Sequence, residues 1–295
     1  MKRIICICSA LLLVFAVCGC VFVPGVKEIV SLEHEDYVYG EITDKISADI
    51  LVLEVSTQSM KDDWGETVHV VTKQAAEWSV GDQIEVIFEQ VERFKNSSKC
   101  VRIIAKEVTQ LQLDAKPVIY LYPQEPTQCT VKLTYDGKLT CVYPSFNPDC
   151  WKDFTAFPDG TLVFPDGREY YALYWEGVRH AEWDLSCGYC VKGEDTAKFL
   201  EWALERQGLT PREANEFIVY WLPKMQENPY NVISFQKEAY TDFAKLDIEP
   251  APDNLLRVFM TYYPSSEYVD IKPQSFEEFD RSGFTVVEWG GSQTK

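Results

Sequence analysis

The chain has 295 residues, with 46 acidic against 28 basic side chains, a formal net charge of −18 and 46% hydrophobic residues. So acidic a surface repels polyanions, which argues against nucleic acid and anionic lipid as direct ligands. The length fits two domains with ordinary cores, and no apolar run after Val23 is long enough to span a bilayer as a helix.

The N-terminus carries an address. Lys2 and Arg3 precede an uncharged apolar run from Ile4 to Val17. That run is shorter than the roughly 20 residues a spanning helix needs, and the layout is that of a secretory signal peptide over residues 1–19. Its end, Val17-Cys18-Gly19-Cys20, resembles the lipobox of bacterial lipoproteins. The resemblance implies cleavage before Cys20 and a diacylglycerol on its thiol, whose two chains anchor far more firmly than one. It implies an exported protein whose partner is the membrane of the cell envelope. Ordinary cleavage near Gly19, releasing a soluble chain, is the alternative. Cys6, Cys8 and Cys18 then leave with the peptide. Cys100, Cys129, Cys141, Cys150, Cys187 and Cys190 remain, an even count that permits disulfides in a chain long enough to do without them.

Residues 20–36 show no period and read as the lipidated cysteine and a tether. Five β runs follow, starting at Tyr37, Ile50, Glu66, Asp82 and Cys100. Separated by polar and glycine turns, they predict a small five-stranded barrel over residues 37–112. Within it "VGDQIEVIF" resembles the strand after a Gly-Asp turn in small OB-like exported bacterial domains, which implies an OB-like barrel. A basic groove with stacking aromatics is not apparent in these runs, so an adaptor or spacer role fits better than nucleic-acid binding.

A second domain is expected over residues 116–295. "KPVIYLYP" is a β-branched and aromatic strand closed by Pro123. "CTVKLTYDGKLTC" reads as a hairpin turning at Asp136-Gly137, with Tyr135 opposite Lys138. In that register Cys129 and Cys141 lie on opposite faces and cannot bond, whereas a bulged three-residue loop would put them on one face. Pro-Asp-Gly turns at 158–160 and 165–167 mark a meander. Its last strand puts Tyr170, Ala172, Tyr174 and Glu176 on one face, and Tyr171, Leu173 and Trp175 on the other. Two helices come next. The first carries Phe199, Leu200, Ala203 and Leu204 on one stripe, between Asp195 as N-cap and Gly208 as stop. The second opens with Thr210 as cap, Pro211 at N1 and Glu213 completing a capping box, and Pro223 should end or kink it. "LLRVFMTYY" and "GFTVVEW" return the chain to strands. The predicted class is therefore mostly β and α+β: the barrel, then an antiparallel sheet with two or three helices on one face.

The stretches "KPVIYLYP", "YALYWEG", "EANEFIVYWLPKM", "NPYNVISF" and "FTVVEWGG" together resemble a family of bacterial proteins, many of them predicted lipoproteins. The likeness covers most of residues 116–292. It implies a recurrent domain and transfers no catalytic residue.

Candidate chemistry is sparse. The three histidines are His34, His69 and His180. HExxH, GxSxG and Walker-type motifs are missing from the sequence, and no cofactor motif is present. His180, Cys187 and Cys190 offer two thiols at CxxC spacing beside a histidine, which is one ligand short of a zinc site; the structural reading is the stronger one. Glu176 and Glu288 end aromatic strands between Trp and Gly, and Glu216 lies one turn before Tyr220. Two of these carboxylates converging would give an acid and base pair for glycan or peptide hydrolysis. Trp175, Trp221 and Trp289, with Arg257, would instead form an aromatic platform for an envelope glycan, peptide or protein. Against both stands a structural ion pair of Arg257 with Glu176 or Glu288. An envelope-binding protein is the favoured reading, with the carboxylate hydrolase as alternative.

Overall fold

The computed structural model describes residues 27–56, 58–94, 97–146 and 149–294. The expected lipidation site Cys20 and the expected signal peptide over residues 1–19 lie outside the described residues, as does the Cys100 side chain. The chain divides into two compact units, residues 27–110 and 111–294 within the described range.

The first unit contains β1 (Lys27–Ser47), β2 (Ile50–Val55), α1 (Gln58–Trp64), β3 (Thr67–Val71), β4 (Gln83–Phe94) and β5 (Ser97–Gln110). The strands close into a barrel in the order β1-β2-β3-β5-β4. The β3–β5 pair is parallel and the others antiparallel. Alternation sends Leu51, Leu53, Val68, Val70, Ile84 and Val86 into one core, where Trp64 of α1 packs edge-on against Phe88. The expected tether needs correction: β1 begins at Lys27, and Val30 pairs with Val91 of a long β4. Val30 and Leu32 pack against the barrel core, with Ser31 between them and Glu28 and Glu33 flanking the pair. His34 belongs to this strand.

The second unit runs β6 (Gln112–Tyr122), β7 (Thr127–Tyr135), β8 (Lys138–Tyr143), β9 (Cys150–Ala156), β10 (Leu162–Val163), β11 (Glu169–Tyr170), β12 (Leu173–Arg179), β13 (Tyr189–Lys192), α2 (Thr196–Gln207), α3 (Pro211–Met225), β14 (Tyr230–Gln236), α4 (Glu238–Thr241), β15 (Ala244–Glu249), β16 (Asn254–Ser265) and β17 (Thr285–Gln293). It holds two sheets, not one. Seven strands are ordered β13-β14-β16-β17-β6-β12-β8, and five are ordered β11-β10-β9-β7-β15. Apolar residues on both faces of the larger sheet explain its near-continuous hydrophobic strands. Val118, Tyr120, Val287 and Trp289 meet Leu200, Leu204, Phe217 and Trp221 of α2 and α3. Ile119, Leu121 and Val286 meet Val131, Trp151 and Phe154 of the smaller sheet. The result is three layers: helices, large sheet, small sheet.

Four expectations are revised. The larger sheet is not purely antiparallel, because β16 and β17 pair in parallel. β7 and β8 do not form a hairpin: the chain leaves the small sheet at Tyr135 and joins the edge of the large one at Lys138. Cys129 is buried, Cys141 is exposed, and both are free thiols. Asp195 makes no side-chain cap; a 3-10 turn leads into α2, and the Thr196 hydroxyl donates to the Lys192 carbonyl at 3.2 Å. α3 continues through Pro223 to Met225, because Trp221 and Met225 are buried and hold its last turn on the sheet. The capping box at Thr210 and Glu213 is present, and Gly208 ends α2 in the left-handed conformation.

A candidate tyrosine-lined groove beside α3

The three singled-out carboxylates do not meet at one place, because the sheet separates Glu288 from Glu176 and Glu216. Glu288 alternates with Val287 and Trp289 and so points into the space between the two sheets. There it is buried and accepts from Arg257 Nε at 2.6 Å and from Trp175 Nε1 at 3.1 Å. Burial opposes the Arg257 charge, but Glu288 and Tyr240 together more than offset it and raise the guanidinium pKa. This is the structural ion pair, not a catalytic dyad. The tryptophan platform is likewise overturned. Trp175 lies in the inter-sheet core, while Trp221 and Trp289 lie under the helices, all three buried. Strand alternation in a sheet covered on both sides leaves Trp175 and Trp289 no exposed face, and Trp221 lies on the buried face of α3.

Glu176 and Glu216 both lie on the helix side, at different points of a row of tyrosines. Trp289 Nε1 donates to the Tyr120 hydroxyl at 3.1 Å, which donates to Glu216 Oε2 at 2.7 Å. Tyr120 stacks on Tyr122 at 6.3 Å and lies 6.4 Å from Tyr171, whose ring is 56% exposed. The Arg212 guanidinium sits 5.9 Å above Tyr171 and 3.9 Å from Glu216. At the other end Glu176 accepts the Lys116 backbone N–H at 3.2 Å. Lys116 has φ 54, left-handed, where the β6–β17 register slips. Its ammonium is carried 4.9 Å over the Tyr220 ring, a cation–π contact. Burial, then the Glu176 charge, pushes the Tyr220 hydroxyl up to about 12. Burial and a hydrogen bond to Glu176 push Tyr174 higher still. Cys141 lies across from Glu176 in the β8–β12 pairing, and burial with the Glu176 charge raises its thiol pKa, which suppresses nucleophilicity.

At the start of α3 the row reaches a second ion pair. Glu213, 1% exposed, accepts Arg281 in a fork at 2.9 and 3.1 Å and also the Thr210 backbone N–H at 2.7 Å. Arg281 lies 5.5 Å over Tyr122. This row therefore offers one exposed aromatic face, at Tyr171, beside hydroxyls and balanced charges, while the Tyr120 ring is 3% exposed and belongs to the core beneath it.

The candidate metal ligands do not assemble. His180 is exposed, and Cys190 accepts the Val269 backbone N–H at 3.2 Å. Cys187 lies in a short bridge to Lys272. No three His, Cys, Asp or Glu side chains form a metal-binding group among the described residues.

A Butyrivibrio fibrisolvens protein described as "Uncharacterized protein in bglA 3'region" is 49% identical to the chain over 65 residues, which are 22% of this chain and 67% of that protein. The chain belongs to one family with it. No family model and no solved structure matches the chain.

For this family member, the groove residues Lys116, Tyr120, Tyr122, Tyr171, Arg212 and Arg281 were not legible as a site from sequence. One signal was available: Tyr120 and Tyr122 stand two apart in a strand and therefore share a face.

Proposed function

We propose that the protein is an exported bacterial lipoprotein, anchored through Cys20, whose second unit binds an envelope glycan or peptide along the tyrosine groove. The first unit, with its strand order β1-β2-β3-β5-β4, is an OB-like spacer or adaptor between anchor and binding unit. The observation that carries the reading is the exposed Tyr171 in line with Tyr120, Tyr122 and the Arg212 guanidinium. Aromatic faces with polar tips, flanked by fixed charges, suit sugars and peptides. Binding is favoured over hydrolysis because Glu288 is committed to Arg257, and Glu216 and Glu176 each serve a hydrogen bond that holds the groove.

The test combines retention with location. The mature chain should be retained by purified envelope glycan or peptide, and Tyr171→Ala should lower retention at least tenfold. In cells, Cys20→Ser should change both the membrane fractionation of the protein and its mature mass. Equal retention of the Tyr171→Ala protein removes the groove, and unchanged fractionation of Cys20→Ser removes the anchor.

A further inference from the structure

The groove ends at the first turn of α3 in a cavity of about 420 Å³, with Tyr122, Gln124, Asp159, Arg212, Arg281 and Thr285 among its walls. That size is within the range of small-molecule sites. Thr285 lies opposite Tyr122 in the β6–β17 pairing, so both side chains share the helix side of the sheet. Thr285 is 2% exposed, and its hydroxyl has no hydrogen-bond partner among the described residues. A buried hydroxyl left unpaired is costly, and native proteins rarely tolerate it without a reason.

The charges around the cavity select against an ion. Arg281 is held in a fork by Glu213, and Arg212 is close to Glu216. The capping box consumes the Glu213 backbone N–H at the helix start. An anion would meet Asp159 and Glu213, and a cation would meet the two guanidiniums. A neutral polyol meets neither penalty. Gln124 Nε2 already donates to the Gly283 carbonyl, and Asp159 Oδ1 accepts the Thr161 backbone N–H; each sugar hydroxyl both donates and accepts, which matches donors on Arg212, the remaining acceptors on Asp159 and Gln124, and the Thr285 hydroxyl in either role.

We infer that this cavity is a saccharide subsite, in which the unpaired Thr285 hydroxyl and the Arg212–Asp159–Gln124 rim receive one neutral sugar unit. The inference rests on the groove being a binding site and names its ligand as glycan, not peptide.

The test titrates the mature chain calorimetrically with cellobiose, maltose and N,N′-diacetylchitobiose, with glucuronate and inorganic phosphate as charged controls. At least one neutral disaccharide should bind, and neither anion should bind more tightly. Thr285→Val should weaken that disaccharide at least tenfold while leaving the melting temperature of the free protein unchanged or higher. Thr285→Ser, which keeps the hydroxyl, should retain affinity. The inference is overturned if none of the neutral sugars binds, if an anion binds best, or if Thr285→Val binds as the wild type does. Envelope material whose retention falls with Tyr171→Ala but not with Thr285→Val would sink the subsite and leave the groove standing. Indifference to Tyr171→Ala would remove the groove itself.

Discussion

Arg257 and Glu288 stand directly opposite one another in the parallel β16–β17 pair, and their side chains meet 2.6 Å apart in the apolar space between the two sheets. The Arg257 Nη1 also donates to the Ala244 carbonyl on β15, and its guanidinium lies 4.5 Å over the Tyr240 ring. The pair thus ties the parallel strands to the smaller sheet. Desolvating two charges offsets most of their attraction, so such a pair adds little net stability while being costly to break.

Glu288→Ala is therefore expected to destabilise the second unit by about 3–5 kcal/mol, since it leaves a buried guanidinium without its counter-charge. The double substitution Arg257→Met with Glu288→Leu should recover most of that loss. Urea denaturation followed by tryptophan fluorescence checks both. Equal stability of the single variant and the wild type would contradict the pairing.

Asp114 predicts a pH dependence. It is buried, accepts the Tyr135 hydroxyl at 2.7 Å and lies 3.3 Å from Arg179 Nε. Burial raises its carboxyl to about 7 against the pull of Arg179 and Tyr135, and burial likewise lowers Arg179. Both groups are driven toward their neutral forms. A raised folded-state pKa means that the native state binds the extra proton between the unfolded value near 4 and about 7. Its contribution is fully present below pH 4 and is lost as pH rises through 7, by an amount on the order of 4 kcal/mol. Melting temperature should fall between pH 5 and 8, and Asp114→Asn should flatten that fall. A wild-type profile that rises through this window would count against the assignment.

Legibility varied with how local the determining physics is. The α3 start was readable because Thr210, Pro211 and Glu213 act within one turn. The turn at Asp136-Gly137 misled, because a Gly in this dipeptide signals a hairpin while this one serves close packing. A Cβ at Gly137 would lie 2.6 Å from the Tyr135 ring and 2.8 Å from the Val178 carbonyl, where the chain crosses between sheets. The Glu and Trp candidates failed for a related reason. Period-2 alternation gives two faces but cannot tell which is covered, and "VVEWGG" is buried on both. The groove stayed hidden because its members come from β6, β12, α3 and the segment before β17, which only the tertiary fold brings together.

Exposure separates binding aromatics from core aromatics. Tyr171→Ala should leave the melting temperature within about 1 °C, as exposed substitutions away from special features do. Trp289→Ala, which empties a buried site between α3 and the sheet, should cost about 3–5 kcal/mol. Calorimetric melting of the two variants distinguishes them, and comparable losses would contradict the assignment of Tyr171 to the surface.

Gly208 ends α2 at φ 98, and a Cβ there would lie 2.7 Å from the Phe279 Cβ. Gly208→Ala is expected to destabilise by about 1–2 kcal/mol from the left-handed backbone alone, with the Phe279 clash added. A denaturation midpoint equal to that of the wild type would show that α2 terminates differently.

The most direct measurement of the central claim follows two indole N–H resonances while envelope glycan fragments are added. Trp289 Nε1 reports on the groove through Tyr120 and Glu216, and Trp175 Nε1 reports on the far side of the sheet through Glu288. Ligand in the tyrosine groove should shift the Trp289 signal in a saturable way and leave Trp175 in place. A shift of Trp175 alone, or none in either under conditions where the fragment is retained, would contradict the groove as the binding site.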